Sequence, residues 1–217
     1  MRYLGLFFAV IARCVYRKSY NFNCIQAVLF IAAEAVVGLI GSKSLFVAHN
    51  GLAVLRNGLM GGGWNSFGSF FLILLVMPIV GKCFGLRPAI TLDACAAPYM
   101  IMYAFQKIGC FLTGCCGGTT ASFWGFDFAW PTQLMESLYV MILFVILIHM
   151  EEKGAHKGVL YPIMLFAFAL ERFLVEFLRK KESLGLFGLS LNQTYAIAII
   201  VVLTIFFVVY KKKFHDA

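Results

Sequence analysis

Apolar residues gather in seven long runs, at about residues 3–15, 24–47, 59–80, 89–112, 131–150, 159–178 and 189–210, separated by short segments of glycine, proline and charge. A bilayer core takes roughly 20 apolar residues per helix. Six runs match that length and the first is short for it. The pattern predicts an all-α polytopic membrane protein of about seven transmembrane helices. It is organised as one helical domain over residues 1–217, with no large extramembrane domain. The first span reaches full length only if residues beyond Arg13 extend it with snorkelling side chains, or if the bilayer thins locally. It leads into Arg13, Arg17 and Lys18 rather than into a small-residue cleavage site, which reads as a retained helix.

Composition agrees, with 62% hydrophobic and 13% charged residues, far from the average soluble domain. The formal net charge of +8 follows from topology. With the N-terminus outside and the C-terminus cytoplasmic, residues 13–18, 82–87, 153–157 and 211–213 all face the cytoplasm. They hold ten of the 18 lysines and arginines, the asymmetry that orients membrane helices. No nucleic-acid partner is expected. The remaining cations, Arg2, Lys43, Arg56, Lys107, Arg172, Arg179, Lys180 and Lys181, lie at the outer ends of spans or inside them. No repeat, low-complexity segment or linker divides the chain.

An ionisable residue within a span costs roughly 3 kcal/mol and asks for a partner or a purpose. Glu34, Lys43, Asp93, Lys107, Glu136, Glu171, Arg172, Glu176 and Arg179 all fall within predicted spans. Arg172, Glu176 and Arg179 recur at spacings of four and three, which places them on one face of an α-helix. Such a face either locks the helix into the bundle through an internal ion pair or, with Lys43 and Lys107, leaves positive charge for an anionic ligand. Arginine suits phosphate through its planar fork of donors.

The stretch "NGLMGGGWNSFGSFF", residues 57–71, serves close helix packing or offers backbone N–H groups to a lipid headgroup. Cys14, Cys24 and Cys83 read as packing residues. Cys110, Cys115 and Cys116 fall in or beside an outward loop, where they form a disulfide, stay inert, or react as thiolates under the influence of Lys107. The seven cysteines follow no zinc-ligand spacing and no disulfide framework, so no metal and no cofactor is expected.

The order of these features resembles the prolipoprotein diacylglyceryl transferase family, a seven-helix fold of the bacterial cytoplasmic membrane. "KIGCFLTGCCGG", residues 107–118, is similar to that family's "G-R-I-G-N-F-x-N-G-E-x-x-G" signature, especially in shorter relatives with a "GCF…GCC" version. "GSKSLFV" from Gly41 resembles its "G-x-R" segment, and "GGWNSFGS" from Gly62 its "G-G-x-S-F-H-G-G" loop. "WPTQLMESL" from Trp130 resembles "H-P-x-Q-L-Y-E", "ERFLVEFLRK" from Glu171 resembles "F-R-x-x-V-E-F-x-R", and "GLSLNQ" from Gly188 resembles "S-M-G-Q".

The resemblance implies transfer of a diacylglyceryl group from the membrane phospholipid phosphatidylglycerol to the lipobox cysteine of a prolipoprotein or another extracytoplasmic acceptor. The active site would face outward. It implies catalytic roles for Arg172, Glu176 and Lys107, and substrate contacts from Arg179, Lys43, Gly68, Gly109, Cys110, Cys115, Gly118, Gln133 and Glu136. The chain departs from the family pattern at Phe67, where the family has a histidine proposed as base. It also carries Lys107 and Lys43 in place of arginines, and Cys110 and Cys115 in place of Asn and Glu. The long insertion between Gly118 and Pro131 is missing. Two other readings are a non-catalytic phospholipid- or partner-binding member of the fold, and a small transporter or channel.

Overall fold

The computed structural model of the chain describes residues 1–57, 63–123, 126–154, 158–179 and 188–215. Among them are seven α-helices: α1 (Arg2–Val15), α2 (Cys24–Asn50), α3 (Ser66–Cys83), α4 (Pro88–Leu112), α5 (Thr132–Glu152), α6 (Leu160–Val175) and α7 (Leu191–His215). Each corresponds to one apolar run. Helices α2, α3, α5 and the segment Leu191–Val209 of α7 are long and apolar enough to cross a membrane. At 1.5 Å per residue, the 27 residues of α2 extend about 40 Å. Helix α4 has the length, but Asp93, Gln106 and Lys107 dilute its hydropathy, and α6 is 16 residues long.

Surface and interior are reversed relative to a water-soluble protein. Ile25, Leu75, Leu138, Val145, Val202 and Val208 are exposed, whereas Arg13, Glu34, Lys107, Glu136, Arg172 and Glu176 are buried. Apolar side chains face outward because lipid is their solvent, and charged groups turn inward to find partners.

Local chemistry sets the helix ends. Asn23 caps α2 in a reciprocal box, its Oδ1 accepting from the Gln26 N–H at 2.8 Å while its own N–H donates to Gln26 Oε1 at 3.0 Å. Ser190 and Gln193 repeat the device before α7. Helix α3 begins only at Ser66, where Asn65 accepts from the Phe67 N–H. The apolar run from residue 59 therefore overstates the helix, since apolarity continues through glycines that precede the cap. Residues 58–62 of that glycine stretch, Lys157, Lys180 and Lys181 lie outside the described residues.

The expectation of an all-α chain needs one correction. Strand β1 (Thr120–Phe123) pairs antiparallel with β2 (Phe126–Ala129), with Thr120 opposite Ala129 and Phe123 opposite Phe126. This segment between α4 and α5 is rich in Thr and Phe, residues that suit a pleated surface. Pairing satisfies its backbone groups locally, without a span.

Contacts divide the chain into two compact units. One comprises Met1–Gly5, Met100–Ile146 and Pro162–Ala217, and the other Leu6–Tyr99 and Leu147–Tyr161.

In the second unit α2 packs on α3 through glycine. A Cβ at Gly41 would collide with the Gly68 carbonyl, and one at Gly68 with the Gly41 carbonyl. The absent side chains let the two backbones touch, and the Ser69 hydroxyl donates to Gly38 O at 2.8 Å across the same crossing. Asp93 of α4 caps α6, its carboxylate accepting from the N–H groups of Gly158 at 2.6 Å and Tyr161 at 3.0 Å. A charge that asked for a partner or a purpose in the sequence thus does the work of a helix cap. Arg13 neither snorkels nor sits in a loop. It is buried, paired with Glu151 at 2.8 Å, and donates to Ala94 O at 2.7 Å. A guanidinium with two partners on neighbouring segments is held more firmly than one reaching for water. Glu34 is buried in this unit as well, with neither carboxylate oxygen hydrogen-bonded.

Two outcomes follow for stability. Arg13→Met strands the buried Glu151 carboxylate and lowers stability by about 3–5 kcal/mol, and adding Glu151→Leu recovers most of the loss. Thermal unfolding in detergent micelles measures both, and a single variant that melts with the parent would rule out the pair as a structural anchor. Gly68→Ala overpacks the α2–α3 crossing and costs about 1–3 kcal/mol, read as a lower melting temperature without change of oligomeric state.

Candidate active site

The first unit concentrates its charges around one carboxylate. Helix α4 contributes Tyr103 and Lys107, one turn apart. Helix α5 contributes Gln133 and Glu136 from its first turns, and α6 carries Arg172 in its last turn. Glu136 is fully buried. Its Oε2 is ion-paired with Lys107 Nζ and accepts a hydrogen bond from the Tyr103 hydroxyl at 3.1 Å. Its Oε1 stands 3.0 Å from Arg172 Nη1 and 3.7 Å from Arg179 Nη1. Three cations on three segments converge on a single anion.

A second carboxylate steadies this arrangement. Arg172 Nη2 donates to Glu176 Oε2 at 3.4 Å, the expected i, i+4 pair, and Asn192 at the start of α7 donates to Glu176 Oε1 at 3.3 Å. The shared helical face drawn from the sequence needs correction, however. Helix α6 stops at Val175, Glu176–Leu178 form a 3-10 turn, and Arg179 is extended at φ −96°, ψ 153°. Arg179 reaches Glu136 because its backbone bridges to Gly118, not because the helix carries it there. Gly118 is needed at that crossing, since a Cβ would run into Trp130 and the Leu178 carbonyl. The Thr119 N–H donates to that same carbonyl at 2.8 Å.

The loop after α4 is held from both sides. Gly114, at φ +68°, turns the chain out of the helix, and the Cys115 N–H donates back to Cys110 O at 3.0 Å. Gln133 Nε2 donates to Cys115 O at 2.6 Å and the Thr132 hydroxyl to Cys116 O at 3.2 Å, so the start of α5 grips the loop. Cys115 and Cys116 are exposed, Cys110 is half-buried, and all three are free thiols. Their sulfur atoms lie within 4.8 Å of one another. The Cys116 thiol is pulled down to about 5 by a hydrogen bond from Cys110, then by Lys107 and Arg179, against the upward push of burial.

Among the sequence-predicted residues, the structure brings together Lys107, Glu136, Arg172, Glu176 and Arg179, with Cys110, Cys115, Gly118 and Gln133 in the loop and turn beside them. Gly109 faces Met1, within the same unit. Lys43 and Gly68 belong to the second unit. There Lys43 is buried with its ammonium 5.2 Å from the Trp64 ring centroid and 5.4 Å from that of Phe46, and Gly68 forms the α2–α3 crossing. Sequence reasoning missed Tyr103 and Asn192. Tyr103 was findable from its place four residues before Lys107 on the same helix face, and Asn192 from its place inside "GLSLNQ".

Among the five groups linked by these contacts, three are cations and two are carboxylates, an excess of one cation within the linked set, in a site nearly closed to water; Glu171, next to Arg172 on α6, is buried outside that set with neither carboxylate oxygen hydrogen-bonded. Buried ion clusters are costly to assemble. One whose linked groups leave a positive charge over is suited to an anionic ligand.

Fold and site therefore define a helical membrane protein with a buried, cation-rich centre. The chain belongs to the prolipoprotein diacylglyceryl transferase family, whose model matches residues 1–210. It is 27% identical over 210 residues to the phosphatidylglycerol–prolipoprotein diacylglyceryl transferase 2 of Clostridium perfringens (strain 13 / Type A), covering 85% of this chain and 78% of that protein. It is 23% identical over 215 residues to the phosphatidylglycerol–prolipoprotein diacylglyceryl transferase of Clostridium tetani (strain Massachusetts / E88), covering 92% and 86%. A protein of the same name from Dehalococcoides mccartyi (strain ATCC BAA-2266 / KCTC 15142 / 195) is 23% identical over 170 residues, covering 71% and 64%.

Glu136→Gln tests the charge reading. Without the central anion, Lys107, Arg172 and Arg179 repel one another, and the variant loses about 3 kcal/mol or more of stability. Phosphatidylglycerol raises its melting temperature more than it raises the parent's, and phosphatidylethanolamine, which is net neutral, does not. Equal responses to both lipids would mean that the cluster does not hold an anion.

Proposed function

We propose that this chain transfers a diacylglyceryl group from phosphatidylglycerol to an extracytoplasmic acceptor, with the lipobox cysteine of a prolipoprotein as the default. The observation that carries this reading is the convergence of Lys107, Arg172 and Arg179 on Glu136, within a linked set of three cations and two carboxylates. A phosphodiester carries one negative charge. As the bond from the glycerol carbon to the phosphate oxygen breaks, charge grows on that oxygen, and fixed cations in a dry site stabilise it most at that moment.

Arg172, held by Glu136 and Glu176, is the donor fork aimed at the phosphate. Lys107 and Arg179 complete the positive field, and Glu176 with Asn192 keeps the Arg172 side chain oriented. Gln133, Gly109, Gly118, Cys110 and Cys115 are assigned to substrate contacts, and Lys43 and Gly68 to the donor lipid. The acceptor thiolate attacks the glycerol carbon that bears the phosphate, and glycerol phosphate leaves.

Seven crossings with the N-terminus outside put the end of α4, the start of α5, the end of α6 and the start of α7 on the outer side. Those are the ends that carry the cluster. The opposite ends carry Arg17, Lys18, Lys82 and Arg87, as expected for the cytoplasmic side of a bacterial inner membrane.

Phe67, buried and without acid–base capacity, favours a second reading, a non-catalytic member that binds the phospholipid. Incubation of the purified protein with phosphatidylglycerol and a lipobox-cysteine peptide separates the two. A diacylglyceryl peptide and free glycerol phosphate are expected by mass spectrometry, reduced at least about a thousandfold in Arg172→Ala, about 4 kcal/mol of transition-state stabilisation. Lipid binding without a modified peptide would identify the binding protein instead.

A further inference from the structure

The proposed reaction has an unsolved step. An acceptor thiol is mostly protonated at neutral pH, with a free pKa near 8.5, and the glycine loop of this chain offers Phe67 where the family resemblance led to a histidine. The three thiols beside Lys107 supply another way to make a thiolate. We propose that Cys110, Cys115 and Cys116 form a three-sulfur site for a thiophilic divalent cation of the Zn2+ type, whose fourth position takes the sulfur of the acceptor cysteine. This rests on the transfer reaction proposed above.

The geometry is close to that of a metal site. The three sulfurs lie within 4.8 Å of one another. Tetrahedral Zn2+ with bonds of about 2.3 Å spaces its sulfur ligands at about 3.8 Å, so no pair needs to close by more than about 1 Å to complete three corners. The ligands are also positioned by partners of their own. The Thr113 hydroxyl lies 3.4 Å from Cys115 Sγ, and hydrogen bonds from Gln133 and Thr132 hold the carbonyls of Cys115 and Cys116. Outer contacts of this kind orient the ligands of a metal centre.

The metal offsets two of the three negative charges that the thiolates bring. Zn2+ with three thiolates carries one negative charge, and with a fourth it carries two. Lys107 lies one turn before Cys110 on α4, and Arg179 bridges to Gly118 two residues beyond Cys116. Exposure of Cys115 and Cys116 leaves the fourth position open to an incoming peptide. Three protein ligands and one open position is the arrangement of a catalytic zinc site rather than a structural one.

The chemistry balances without a redox partner. The acceptor thiol binds the metal and gives its proton to water. The sulfur lone pair then forms the carbon–sulfur bond to the glycerol carbon bearing the phosphate. The carbon–oxygen bond breaks with its electron pair passing to the phosphate oxygen, and glycerol phosphate departs beside Arg172.

The test uses the full chain in lipid nanodiscs, reduced and stripped of metal, then titrated with Zn2+ and separately with Co2+. One metal ion per chain and a Co2+–thiolate charge-transfer band are expected. Affinity should fall by at least about a hundredfold in each of Cys110→Ser, Cys115→Ser and Cys116→Ser, more than the loss of an outer partner produces. Unchanged melting temperatures of the metal-free variants would establish that they fold. A lipobox-cysteine peptide should shift the Co2+ band, and its serine analogue should leave it unmoved.

Metal uptake equal to that of the triple serine variant overturns the site. A disulfide among the three cysteines that persists through reduction and Zn2+ addition overturns it as well. Uptake without a peptide-dependent shift overturns the role of the open position. If the metal binds and the band shifts but no diacylglyceryl peptide forms under any condition, the inferred site stands and the transfer reading fails.

Discussion

The fully buried carboxylate of Glu136 is the constraint on which the first unit depends. Lys107, Arg172 and Arg179 come from different segments, and none of them is cheap to place away from water. They are tolerated because a single anion meets all three, while Tyr103 takes one of its remaining acceptor positions. Remove that anion and Lys107 and Arg179 lose their carboxylate partner, while Arg172 is left with Glu176 alone. The positions of α4, α5 and the end of α6 are thereby tied together by electrostatics rather than by apolar contact alone. In a bilayer, where apolar surface has no preference for protein over lipid, this is a stronger tie than leucines provide.

The same logic sets apart two other buried arrangements. Arg13 with Glu151, and Asp93 with the first N–H groups of α6, are closed accounts in which each charge meets its complement and nothing is left over. The cluster around Glu136 is different because its cations outnumber its anions. Among the groups in direct contact, that asymmetry is what supports the proposed anion site, since burial is common to both kinds of group. An ion pair that only held helices together would gain nothing from a surplus charge and would incur its desolvation cost.

Much of this was legible in the sequence, and what was not has physical reasons. Seven apolar runs gave seven helices because length and hydropathy act locally. The clustered residues Lys107, Glu136, Arg172, Glu176 and Arg179 stood out because an ionisable group in or at the end of an apolar run is conspicuous. Periodicity misjudged Arg179, since a spacing of four and three looks the same whether the helix continues or ends in a 3-10 turn. Asp93 and Arg13 show the opposite limit. Their charges were plain to see, but a cap supplied to a different helix and a partner 138 residues away in sequence leave no local mark. The hairpin of Thr120–Phe123 and Phe126–Ala129 was hidden by its brevity.

The cysteines show why spacing is a poor guide to proximity at a helix end. Cys110 lies in the last turn of α4, whereas Cys115 and Cys116 lie beyond it, and along the chain they match no familiar ligand pattern. Proximity arises because Gly114 reverses the backbone and the Cys115 N–H bonds back to Cys110 O, folding the loop over the end of its own helix. The turn that closes α4 therefore also gathers the thiols, and Gln133, Thr132 and the Gly118–Arg179 bridge keep them next to the cations. Helix termination, loop anchoring and the cationic centre are one construction, so a change in the loop sequence acts on the chemistry of the site without touching its charged residues.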